Sequence, residues 1–95
     1  GVQYRVLGPL EVVTDGVTHV PARQLRALLA ALLVQPGSPV SPEALIEAVW
    51  AGRRSVDASP TLRRHIARAR AELGVGIQAG PAGYRLVVDE HDVDG

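Results

Sequence analysis

Guanidinium groups crowd into one short stretch of this chain. Between Arg53 and Arg70 lie six of the ten arginines (Arg53, Arg54, Arg63, Arg64, Arg68 and Arg70), with Asp57 the one acid among them. A guanidinium is a planar fork of N–H donors, suited to bidentate contact with phosphate and with the O6/N7 edge of guanine. The rest of the chain holds four arginines against nine acids, so a formal net charge of zero conceals a basic segment on an otherwise acidic molecule. A local basic footprint of this kind implies an anionic partner.

Spacing sharpens that expectation. Over residues 59–73, Leu62, Ile66, Ala69 and Leu73 fall at i, i+4, i+7 and i+11, the stripe of an amphipathic helix that must face a core. Arg64 and Arg68 then lie on the opposite face with Ala67 and Ala71 between them, and Arg63 and Arg70 share a flank. Small residues beside forked donors let a helix enter a groove and reach its floor. Arg64 and Arg68 are expected to read base edges while Arg63 and Arg70 hold phosphate. No acid one turn away is expected to neutralise these arginines; a solvated basic face is the alternative reading.

Other chemistries find little support. His65 sits beside the core stripe and is expected to pack, while His19 and His91 are isolated, so neither a metal site nor a Ser-His-Asp arrangement is expected. No catalytic residue, enzyme activity or cofactor is expected. Trp50, Tyr4 and Tyr84 are the only large aromatics. Trp50 is expected to be a buried anchor rather than a stacking platform for single-stranded nucleic acid.

The elements that must position the arginines fit one small domain, since 95 residues support a single modest core. Cysteine is absent, which rules out disulfides and thiolate metal sites in this chain. The longest apolar run, Ala27 to Val34, is too short to cross a bilayer, so no membrane partner and a cytoplasmic location are expected.

Residues 2–20 alternate like short antiparallel strands, with Asp15-Gly16 placed for a type I′ hairpin. Arg23 to Val34 carries leucines at helical spacing and stops before Gln35-Pro36-Gly37. Ser41-Pro42-Glu43 starts a second helix with an N-cap, a proline at the first helical position and an acid in the first turn. Ser59-Pro60 repeats the signal for the third helix, which Gly74 ends. Residues 51–58 form a loop longer than a simple helix-turn-helix turn. Two strands, Ile77 to Ala79 and Tyr84 to Val88, are joined by Gly80-Pro81-Ala82-Gly83. The expected class is α+β, a winged helix-turn-helix: N-terminal antiparallel sheet, three helices and a C-terminal β-hairpin wing. The domain is expected over residues 2–88, with 89–95 an acidic tail or the start of a linker to a further domain.

In that order the chain resembles the OmpR/PhoB-type winged-helix domain, and more closely the N-terminal domain of the Streptomyces antibiotic regulatory protein family. The motifs that carry the resemblance are Tyr4-Arg5-Val6-Leu7-Gly8-Pro9-Leu10-Glu11-Val12, Leu25-Arg26-Ala27-Leu28-Leu29-Ala30, Val40-Ser41, Leu45-Ile46 with Val49-Trp50, the Thr61 to Arg70 helix, and Gly83-Tyr84-Arg85-Leu86. The resemblance implies a four-stranded N-terminal sheet and a transcriptional activator binding direct repeats in double-stranded promoter DNA, a monomer in isolation that pairs head-to-tail on DNA. It implies that Arg68 reads bases, that Arg70 grips phosphate, and that Thr61 and Arg64 face DNA, with Thr61 on phosphate. Arg53 and Arg54 fall where related activators touch RNA polymerase or its sigma subunit. Related wings carry an arginine where this chain has Gly80, which leaves Arg85 as the wing's phosphate-contacting cation. The alternative function is a winged-helix protein-interaction module that has lost DNA binding.

Overall fold

A computed structural model describes residues 1–53 and 57–94. Three N-terminal strands come first: β1 (Val2–Arg5), β2 (Glu11–Thr14) and β3 (Val17–His19). Asp15 and Gly16 adopt φ of 50° and 82°, the pair of positive values that a type I′ turn needs between β2 and β3. Tyr4 lies opposite Val12, and both side chains are buried. The Tyr4 hydroxyl is fully enclosed without a hydrogen-bond partner among the described residues. Burial, with a smaller contribution from the Asp92 carboxylate, pushes its pKa up to about 12, so the phenol stays neutral.

The fourth strand has an unexpected source. Of the segment 89–95, read from sequence as an acidic tail or linker, the described residues 89–94 fold back through a 3-10 turn (Glu90–Asp92) into β6 (Val93–Asp94). This strand pairs parallel with β1, Tyr4 opposite Val93 and Arg5 opposite Asp94, giving the sheet order β3-β2-β1-β6. Asp89 and Asp92 cap the 3-10 turn reciprocally through side chain and backbone. Asp89 and Asp92 thus shape the turn that delivers the strand.

Three helices follow the first hairpin: α1 (Arg23–Leu33), α2 (Pro42–Trp50) and α3 (Ala58–Leu73). Leu25, Leu28, Leu29 and Leu32 of α1 are buried, as their spacing requires. The Ser41 hydroxyl accepts from the Ala44 amide at 3.1 Å, which confirms the N-cap read from sequence. The second Ser-Pro does not repeat it. Asp57 occupies the cap position of α3, and Ser59 and Pro60 lie inside the first turn. Proline is tolerated there because first-turn amides have no intrahelical acceptor. Trp50 is half-buried rather than enclosed, because it stands at the last position of α2.

The wing consists of β4 (Ile77–Gly80) and β5 (Gly83–Leu86), with Pro81 and Ala82 forming the turn. Tyr84 exchanges both backbone hydrogen bonds with Val40, at 2.7 and 2.9 Å, so the segment entering α2 forms a third rung on the wing. That approach is possible only beside a residue without a side chain. Gly83 has φ of 123°, and a Cβ there would overlap the Val40 carbonyl. Gly83→Ala should therefore lower stability by at least about 1–3 kcal/mol, the cost of the strained backbone alone. Gly80→Ala, where a Cβ meets nothing within 4 Å, should be nearly neutral. Thermal melts of the two variants side by side test this: equal midpoints would show that the Val40 rung is not a constraint.

Candidate nucleic-acid interface

Helix α3 divides cleanly by burial. Leu62, His65, Ile66, Ala69 and Leu73 are buried, whereas Arg63, Arg64, Ala67, Arg68, Arg70 and Ala71 are exposed. The stripe inferred from spacing is therefore the core face, and the arginines stand away from it. Two constraints hold the far end of the helix against the sheet. The Thr14 hydroxyl donates to the Leu73 carbonyl, and Gly74, at φ 69°, packs so closely that a Cβ would lie 2.8 Å from Thr14 Cγ2.

Each candidate arginine has a distinct placement. Arg63 is exposed, with no hydrogen-bond or ion-pair partner among the described residues. Arg64 donates from Nη2 to Thr61 Oγ1 at 2.8 Å. Arg68 donates from Nε to Glu72 Oε2 at 3.0 Å, an ion pair one helical turn apart. This overturns the expectation that no acid one turn away accompanies these arginines; Glu72, at i+4, was the signal in the sequence. Arg70 donates from Nε at 3.1 Å and from Nη2 at 2.7 Å to the Ile77 carbonyl. Its fork thereby fastens α3 to the base of the wing, a contact that sequence spacing did not reveal.

The wing and the loop offer less. Arg85 is half-buried and donates to the Gln78 side chain across the wing strands. Gly80 leaves the turn itself without a cation. Arg53 is exposed beyond α2, its amide bonded to the Trp50 carbonyl at 2.9 Å; Arg54 lies outside the described residues. Among the described residues, no three His, Cys, Asp or Glu side chains gather as a metal site.

His65 is the buried polar group of α3, 6% exposed. Its ring stacks on Trp50 with centroids 5.7 Å apart and planes at 20°, and neither ring nitrogen has a hydrogen-bond partner among the described residues. Burial lowers its pKa below the ordinary histidine value, and the neighbouring Arg68 and Arg64 lower it further. Held below its ordinary pKa, the imidazole is a packing plate between α2 and α3.

Residues 19–86 match the family model described as "Transcriptional regulatory protein, C terminal". The chain is 33% identical over 100 residues to the transcriptional regulatory protein EmbR of Mycobacterium tuberculosis, covering 96% of this chain and 26% of EmbR. It is 31% identical over 105 residues to the regulatory protein DnrI of Streptomyces peucetius, covering 97% of this chain and 39% of DnrI. The solved structure of Mycobacterium tuberculosis EmbR in complex with a low-affinity phosphopeptide superposes with a TM-score of 0.86 at 27% identity, over 97% of this chain and 26% of that one. The DNA-binding domain of Escherichia coli CadC superposes at 0.68 and 25% identity, over 83% of this chain and 79% of that one. This chain thus spans well under half of the full-length regulators it matches.

The state of His65 has a measurable consequence. Its folded pKa lies below the unfolded value of about 6.5, so the unfolded chain binds the proton first as pH falls. The stability is fully present above about pH 6.5 and is lost as pH drops toward the folded pKa. Urea unfolding at about pH 7.5 and about pH 5.5 should show a smaller stability loss on acidification for His65→Leu than for the parent. Parallel losses would mean that His65 already titrates normally in the folded domain.

Proposed function

The chain belongs to the OmpR/PhoB-type family of transcriptional regulatory proteins, on the branch represented by the Streptomyces antibiotic regulatory proteins, and on that premise we propose that it binds duplex DNA sequence-specifically as the reading head of a transcriptional activator. The observation that carries this reading is the outer face of α3, where Arg63, Arg64 and Arg68 surround Ala67 and Ala71 while the stripe behind them is buried. A helix with a smooth small-residue ridge and forked cations fits the major groove.

Arg64 and Arg68 read base edges in this arrangement. Arg63 and Thr61 hold phosphate at the flank and the helix start, and Arg85 contributes from the wing. Arg70 acts chiefly through its hold on Ile77, which sets the wing against α3, with the N–H groups left over available to phosphate. The acidic remainder of the surface orients the domain, since only one side is attracted to a polyanion. Arg53, exposed and off the recognition helix, is the described residue best placed for RNA polymerase or its sigma subunit. Arg54 joins it in sequence. Direct repeats in the promoter would seat two monomers head-to-tail.

The two classes of contact leave different signatures. On a duplex selected from a random pool, Arg68→Ala should cost about 1–3 kcal/mol and relax preference at one or two base positions. Arg63→Ala should weaken selected and scrambled duplexes alike and flatten the slope of log affinity on log salt by about one unit. If the folded parent shows no preference for any duplex and no salt dependence, the domain is a protein-interaction module instead. Arg53→Ala should reduce transcription at equal promoter occupancy while leaving duplex affinity unchanged; matched losses in both assays would place Arg53 on DNA.

A further inference from the structure

Arg64 and Arg68 are restrained by their own helix in chemically different ways. Arg64 is held at the end of its fork, by Nη2 to a neutral hydroxyl. Arg68 is held at the side of its fork, by Nε to a carboxylate. The Nε contact leaves both Nη groups of Arg68 unbonded within the described structure, and its side chain is 52% exposed. Two parallel N–H groups at the end of a guanidinium are what guanine O6 and N7 accept. Glu72 therefore constrains Arg68 without occupying the donors that a base would use.

The fold itself gives no reason for an acid at this position. Glu72 lies in the last turn of α3, where the negative end of the helix dipole repels a carboxylate. The order arginine then glutamate at i, i+4 is also the less favourable one for an isolated helix. Its side chain is 51% exposed, so the pair adds little to stability. What it does change is the charge that Arg68 presents. A phosphate that takes the free Nη groups must accept the Glu72 carboxylate as an anionic neighbour, whereas the guanine edge is neutral and meets far less repulsion with the Nε contact intact.

We propose that Glu72 is a specificity-determining residue: it positions Arg68 through Nε for end-on contact with guanine and withholds it from phosphate. Because this rests on the DNA-binding reading above, the test begins from a parent that prefers its selected duplex over a scrambled one. Glu72→Ala should then raise affinity for scrambled DNA, steepen the salt slope by about one unit, and reduce the selected-to-scrambled ratio about tenfold, the share of one bidentate base contact. Glu72→Gln keeps an acceptor for Nε but removes the charge, so it should steepen the slope while preserving more of the ratio. In an Arg68→Ala background, Glu72→Ala should leave the ratio unchanged.

Helix content by circular dichroism should be the same in all variants, since neither side chain joins the core. An unchanged ratio and slope in Glu72→Ala, or an equal effect with and without Arg68, would overturn the proposal while leaving the DNA-binding reading intact. A parent without duplex preference would overturn that reading, and this proposal with it.

Discussion

The buried stripe of α3 is the constraint around which the other contacts of this domain are arranged. One sixteen-residue helix supplies Leu62, Ile66, Ala69 and Leu73 to the core and presents arginines on its other side. The two demands are compatible only if the helix cannot rotate about its axis. Rotation is blocked by the core leucines of α1 and by Leu45 and Ile46 of α2 on one side, and by close fastening at its carboxyl end. The N-terminal sheet serves this purpose directly, since Thr14 bonds the last carbonyl of α3 and fills the space beside Gly74.

Much of this arrangement was legible in the sequence because it rests on local rules. Asp15-Gly16 encodes its own turn, Ser41 its own cap, and the leucines of α1 their own face. What escaped depended on partners distant in the chain or on backbone alone. Val93–Asp94 has no strand pattern; it pairs because β1 exposes an edge, and the acids of the preceding turn cap one another rather than repel. Ser59-Pro60 carries a start signal two residues too late, because Asp57 already occupies the cap. Trp50 has the composition of a core residue but the position of a helix end.

The candidate site shows the same division. Which arginines point outward followed from 3.6-residue periodicity. What each one touches did not. Arg70 reaches a carbonyl seven residues on, across the turn that ends the helix, and nothing in helical spacing identifies that acceptor. Glu72 was readable at i+4 and shows that a basic run must be checked for its acids one by one before its charge is counted. His65 was readable as a packing residue from its position beside the stripe, but its stacking partner Trp50 lies on another helix.

The double hold of Arg70 on Ile77 joins α3 to the wing by a fork rather than a single swivel. With Val40 hydrogen-bonded to Tyr84 on the other side, the hairpin is clamped between the helix that precedes it and the strand-like lead into α2. A body clamped in this way loses little conformational entropy when it docks. It also cannot flex to accommodate a poorly shaped ligand. On the DNA-binding reading, the burden of adjustment falls on the duplex, whose groove width and step flexibility become part of what is recognised even at base pairs that no side chain touches.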